Sequence, residues 1–253
     1  MLRTRIIPCL LLREESLVKT VQFKKPSYIG DPINTVRIFN ELEVDELAFL
    51  DIMASRNKSK PSFDVLQTIA DECFMPLSYG GGLRDVASAD RIFQIGFEKV
   101  ILNTALFERP ELISEISKRF GSQSIIVAID VKKSVWGKYC VTCRSGTEVR
   151  KRHPVAWAKE IESRGAGEIL LTSIDREGTW KGFDVELIEQ VSSAVSVPVI
   201  AHGGAGNVVD IGEVVKRGKA SAVGLGSMVV YQRKGMGVLV NFPDSEQLAR
   251  AMA

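Results

Sequence analysis

Asp31-Pro32 followed by Glu46-Leu47-Ala48-Phe49-Leu50-Asp51 returns later in the chain as His153-Pro154 followed by Glu168-Ile169-Leu170-Leu171. An offset of 122 residues lays Pro32 on Pro154 and Glu46 on Glu168. The same offset lays Pro76 on Pro198, Gly81 on Gly203 and Gly82 on Gly204. Five coincidences at one offset argue for an internal repeat, with half-repeats at about 1–120 and 121–253 and two related ligand sites. Each apolar run reads as a buried parallel strand, and each following stretch reads as an amphipathic helix.

Working outward from these segments, the strand pattern recurs eight times. Its members are Arg5–Leu12, Glu46–Ile52, Leu77–Tyr79, Lys99–Leu102, Ile125–Asp130, Glu168–Ile174, Val199–Ala201 and Ala220–Leu225. Helical patterns lie between them, among them Asp31–Glu43, Phe63–Cys73, Pro110–Phe120, Pro154–Arg164 and Asp184–Ala194. Pro32 and Pro154 suit first helical turns. Strict alternation implies a parallel sheet, and eight units in 253 residues imply one closed α/β barrel, a (βα)8 TIM barrel, over residues 1–253.

Composition excludes other classes. A net charge of +2 and only short basic clusters, such as Arg150-Lys151-Arg152, give no nucleic-acid footprint. No apolar run reaches the roughly 20 residues of a membrane span, and Met1–Ile7 lacks a signal-peptide core. The expected location is cytoplasmic. Cys140 and Cys143 have C-x-x-C spacing, but no second pair accompanies them and the histidines are only His153 and His202. Reduced thiols on a hairpin are expected, with no metal and no cofactor.

In a barrel, chemistry gathers at the strand C-terminal ends. Gly80-Gly81-Gly82, Asn103-Thr104, His202-Gly203-Gly204-Ala205-Gly206 and Gly226-Ser227 fall there. Glycine turns let backbone amides close on phosphate, or they are simply tight turns. Two cradles, Gly81, Gly82, Asn103 and Thr104 on one side and Gly203, Gly204, Gly226 and Ser227 on the other, suit a ligand with phosphate at both ends. Asp130 ends a strand facing the mouth, where it can act as acid or base. Asp51 and Asp175 can contact ligand or hold loops. Lys19 lies in a long loop after the first strand, free either to close over substrate or to stay solvated. Aligning Ile6–Leu11 with Ile125–Asp130 makes Leu11 the half-repeat partner of Asp130, so one site lacks a proton donor.

Gly121-Ser122-Gln123-Ser124, Arg164–Arg176 and Gly203-Gly204-Ala205-Gly206 closely resemble the HisF family, the cyclase subunit of imidazole glycerol phosphate synthase. The resemblance runs nearly to Gly226-Ser227. It implies a HisH-like glutaminase docked as a heterodimer partner on the N-terminal barrel face, and ammonia passing through the barrel to a bisphosphate ribonucleotide. It implies a gate of Arg5, Glu46, Lys99 and Glu168. It implies phosphate contacts at Gly82, Asn103, Thr104, Gly204, Gly226 and Ser227, with Thr172 a further site candidate. The family's two catalytic aspartates fall at Asp130 and Leu11, and another family aspartate is Glu177 here. Tyr231–Pro243 replaces the expected final helix.

These departures resemble a HisF-like subgroup that works beside a sugar amidotransferase in acetamidino-sugar synthesis for surface polysaccharide. Three functions are therefore expected to compete. One is an ammonia-conducting barrel for such a sugar. The second is a working cyclase of histidine biosynthesis. The third is a non-catalytic scaffold that activates the glutaminase.

Overall fold

The computed structural model describes residues 4–252. Its strands, in chain order, are β1 (Arg5–Arg13), β2 (Ser16–Val21), β3 (Lys24–Gly30), β4 (Leu47–Asp51), β5 (Leu77–Gly80) and β6 (Lys99–Leu102). They continue as β7 (Ile125–Lys133), β8 (Tyr139–Cys143), β9 (Glu148–Arg150), β10 (Glu168–Ser173), β11 (Val199–His202) and β12 (Ala222–Leu225). Strands β10, β11, β12, β1, β4, β5, β6 and β7 pair in that order, and β10 also pairs with β7. Eight parallel strands thus close the expected barrel.

The closed sheet leaves no edge in the barrel itself and sorts side chains into two cores. One core packs the strands' outer faces against the helices and includes Phe39, Leu66, Ile92, Ile116, Trp157, Ile188 and Ile211. The other fills the barrel interior with Ile7, Cys9, Ala48, Ile101, Ile126, Ala128, Leu170, Ile200 and Ala222. Every strand between them is buried on both faces, which is why the strands read as continuous apolar runs.

The repeat is visible in the caps. Asp31 accepts from Asn34 N at 2.9 Å ahead of the helix Pro32–Glu41, and His153 Nδ1 accepts from Val155 N at 3.3 Å ahead of Pro154–Ser163. It is visible again where β1 and β7 overrun the barrel. Each turns back as a hairpin strand, β2 against β1 and β8 against β7.

Two expectations need correction. The long loop after the first strand is the ordered hairpin β2–β3, with Lys19 buried in β2. The final helix is not lost but displaced. After the segment around Tyr231–Val238, the helix Ser245–Met252 buries Leu248 and lies on the helix Val208–Lys216 at Gly212. Among the described residues no helix is long and apolar enough to cross a membrane.

Candidate active site

At the base of the barrel, Arg5, Glu46, Lys99 and Glu168 form a closed ring of alternating charge. Arg5 binds Glu46 at 2.7 Å and Glu168 at 2.6 Å; Lys99 binds Glu46 at 3.1 Å and Glu168 at 2.9 Å. Alternation along β1, β4, β6 and β10 places all four inward, beneath the apolar interior layer. Each carboxylate touches both cations. This full pairing offsets a desolvation cost of several kcal/mol per buried ion.

At the opposite end the interior turns polar on one side only. Asn103 follows β6, Asp130 is on β7, Thr172 on β10 and His202 on β11, four successive strands of the barrel. Asn103 Nδ2 donates to Asp130 Oδ2 at 2.8 Å, and Thr172 Oγ1 lies 3.1 Å from His202 Nδ1. Burial pushes Asp130 up from 3.8 to about 7, and hydrogen bonds from Asn103 and Thr172 only partly oppose it. Burial, then the positive charge of Lys19, lowers His202 to about 4, so its ring is neutral near pH 7. Asn103 Oδ1 is buried without a partner.

The opposite wall is apolar. Leu11 pairs in register with Leu50 on β4 and with Val18 on β2, as Asp130 pairs with Thr172 on β10 and Thr142 on β8. The register therefore makes Leu11 and Asp130 true twins, and Leu50 the twin of Thr172.

A cavity of about 130 Å³ opens above this floor, lined by Leu11, Thr20, Phe23, Asp51, Gly81, Gly82, Asn103, Thr104, Asp130, Thr172, Glu177 and His202 among others. An outer groove runs from Gly82 and Thr104 past Lys58, Arg84, Arg109 and Arg144. Arg109 is held by Glu115 and Arg144 by Glu148, whereas Lys58 and Arg84 form no ion pair among the described residues. This edge of the mouth is electropositive.

The backbone amides of Gly81, Gly82, Gly203, Gly204, Gly226 and Ser227 meet no acceptor among the described residues. The helices that follow the two glycine loops are already capped, one by Asp85 and the other by Asn207 with Asp210. The donors free for an anion are thus those of the turns, not of these helix ends. Gly203, Gly204, Gly226 and Ser227 lie apart from the cavity. A Cβ added at Gly226 would meet Lys19 Cε at 2.9 Å, so the lysine stem packs against this second set.

Glu177 holds the hairpin down. It takes the buried Lys19 ammonium, Thr20 Oγ1 at 3.1 Å and Phe23 N at 3.2 Å, while its own carbonyl accepts from Gln22 N at 2.9 Å. Asp51 accepts from Met53 N and Ala54 N at 2.9 Å each, and Asp175 accepts from Lys133 N at 2.7 Å. Both aspartates hold loops by these hydrogen bonds, and Asp51 also lines the cavity. Cys140 and Cys143 are free thiols on β8. His202 was absent from the expected set, its glycine neighbours having drawn the attention. The signal available was its place as the last residue of a strand.

A two-fold (βα)8 barrel with an ion ring at its base, paired glycine turns at its mouth and a half-buried carboxylate between them defines the class. The chain belongs to the histidine biosynthesis protein family, whose model matches residues 5–235. A Pseudomonas aeruginosa protein bearing the provisional name imidazole glycerol phosphate synthase subunit hisF2 is 50% identical over 248 residues, covering 98% of this chain and 99% of that protein. A Vibrio vulnificus protein, provisionally named subunit hisF3, is 44% identical over 253 residues, covering 100% and 97%. The imidazole glycerol phosphate synthase subunit HisF of Alkaliphilus metalliredigens is 41% identical over 231 residues, covering 91% and 92%.

Proposed function

We propose that this chain is the barrel subunit of a glutamine-dependent synthase, taking ammonia from a HisH-like glutaminase at its base and delivering it to a phosphorylated ligand at its mouth. The base ring supports an entrance there, because a fully paired ring can open by exchanging partners without stranding a charge. Ile7, Ala48, Ile101, Ala128, Leu170 and Ile200 line the way upward and offer ammonia no competing hydrogen bond. The unmatched amides of the glycine turns and the basic rim at Lys58 and Arg84 support a phosphate-bearing ligand.

The observation that carries the finer reading is Leu11. Ring closure to an imidazole needs protons moved on both sides of the ligand, and an alkyl wall of Leu11 and Leu50 moves none. Losing one proton-transfer group typically costs about 10²–10⁴-fold in rate. The chain is accordingly read as delivering ammonia to a sugar amidotransferase that makes an acetamidino group, cytoplasmic like other small-molecule synthases. The relatives' names favour a second reading, cyclisation in histidine biosynthesis. A scaffold that only switches on the glutaminase finds no observation of its own.

The test is the purified chain with an ammonium salt and the bisphosphate ribonucleotide, beside Leu11→Asp. The expected result is no imidazole glycerol phosphate from the wild type. Formation at a rate ordinary for enzymes, about 1–10³ s⁻¹, overturns delivery in favour of cyclisation. Activity gained by Leu11→Asp alone shows a substrate site kept without its chemistry.

A further inference from the structure

Of the two catalytic aspartates that the family resemblance implies, the mouth keeps Asp130 and has Leu11 at the other position, yet a second titratable group stands on the same polar arc as Asp130. His202 is the inward residue at the end of β11 and is 5% exposed. It is seated by an absence on the neighbouring strand: a Cβ on Gly224 would fall 3.1 Å from His202 Cδ2 and 3.0 Å from Cys9 Sγ. Glycine at 224 thus makes room for the imidazole to lie against β12. The ring's Nδ1 faces the Thr172 hydroxyl at 3.1 Å, and Thr172 sits in register directly beside Asp130 on the neighbouring strand. Its Nε2 is turned toward the Gly226 turn, beside the Lys19 ammonium.

We propose that His202 supplies the proton-handling partner that Leu11 lacks, exchanging protons with Asp130 through the Thr172 hydroxyl. From the proposed function the inference takes only that ammonia reaches a mouth holding a phosphorylated ligand, and it adds that the ammonia combines with that ligand there; the relay itself is a property of this chain. Ammonia adding to an electrophilic carbon becomes a C–NH₃⁺ group that must lose a proton. That proton forms a new N–H bond at Nε2. The Nδ1–H bond breaks as an O–H bond forms on Thr172, and the hydroxyl's original proton passes to Asp130. The imidazole ends neutral as its other tautomer, and Asp130 ends as the neutral acid.

The surroundings suit this exchange. On the β1 side of Gly224 lies Cys9, whose thiol is pushed up to about 12 by burial and stays uncharged. The β12 side offers no titratable group at Gly224 or Gly226. The charges facing the ring are Lys19, which lowers its proton affinity, and Glu177, which raises it. Asp130 on the far side of Thr172 titrates near 7 while the ring stays neutral, so a proton taken by Asp130 shows at the ring as a change of tautomer passed through one hydroxyl.

The test needs neither substrate nor partner. The full chain carrying His153→Gln keeps a single histidine, whose ring nitrogens are followed by NMR through the Asp130 titration. The expected ring is neutral throughout, with its hydrogen on Nδ1 above about pH 7 and on Nε2 below it. Asp130→Asn abolishes the switch, Thr172→Val abolishes it, and Thr172→Ser restores it. One tautomer on both sides of the titration, or a switch that survives Thr172→Val, overturns the relay. Should Thr172→Val fail to fold, Asp130→Asn and Thr172→Ser still decide. A switch seen in a chain that fails to pass ammonia keeps the relay and removes only its substrate. Ammonia transfer without the switch removes the relay alone.

Discussion

Replacing Asp130 by Asn should stabilise the protein, and by more at higher pH. The native carboxyl titrates near 7 rather than at its ordinary 3.8 because burial disfavours its charge. A folded pKa raised above the unfolded one means the native state holds a proton that the unfolded chain has released. Stability from this group is therefore complete below about 3.8 and falls as pH rises to about 7, after which it is flat. Each pH unit in that window is worth about 1.4 kcal/mol. Asparagine keeps the acceptor for Asn103 Nδ2 and offers its own amide to Thr172, so it leaves the hydrogen-bond arc intact. The advantage of Asp130→Asn over wild type should widen by about 2 kcal/mol between about pH 5.5 and about pH 8. Urea unfolding at the two pH values measures it. A gap that stays constant, or that narrows as pH rises, would show that the carboxyl is charged at little cost and that the mouth is wetter than its burial implies.

Three further changes probe the ring, the hairpin and the second cradle. Lys99→Met leaves Glu46 and Glu168 to Arg5 alone and should cost about 3–5 kcal/mol near neutral pH; a denaturant titration checks this. Lys19→Met strands the 2%-exposed Glu177 without a cation and should loosen β2–β3, seen as faster amide hydrogen exchange confined to Ser16–Gly30 and the loop around Glu177. Gly204→Ala places a Cβ 2.2 Å from the Gly182 carbonyl oxygen at a φ of +117°. Left-handed strain and overpacking together should cost about 2–5 kcal/mol, measured as a loss of unfolding free energy with a folded far-ultraviolet spectrum at low temperature.

The barrel was legible because its signals are local. Strands such as Ile125–Ile129 bury both faces and so read as unbroken apolar runs, and Pro32 and Pro154 mark helix starts without reference to anything distant. The hairpin β2–β3 was not legible for the opposite reason. Lys19 read as part of a long loop, closing over substrate or solvated, and only Glu177, more than 150 residues later in the chain, makes it a buried strand residue. Ser245–Met252 was hidden because it buries a single residue, Leu248, too little for a periodic signal. Within the site, the glycine turns followed from their places at strand ends, and the ring from the family resemblance. The loop hydrogen bonds of Asp51 and Asp175 depended on which backbone N–H groups came near, and that is set by loop geometry. His202 escaped because its role is set by Thr172, by Asp130 and by the side chain that Gly224 does not have.

The two halves share a backbone register and differ in what that register carries. Where the C-terminal half sets Asp130 beside Thr172, the N-terminal half sets Leu11 beside Leu50. A buried leucine contributes about 1.5–3 kcal/mol, whereas the Asp130 carboxyl loses stability as it ionises, so the leucine wall strengthens the fold on the side where it ends the chemistry. The consequence is directional. A ligand held by the Gly81–Gly82 turn rests one flank on alkyl groups and presents the other to Asn103, Asp130, Thr172 and His202. The position opposite Asp130 carries only the alkyl group of Leu11, so a reaction that needs acid and base at those two twin positions must do without a group at the second. The addition of ammonia from the barrel axis, followed by proton loss on a single side, does not need one.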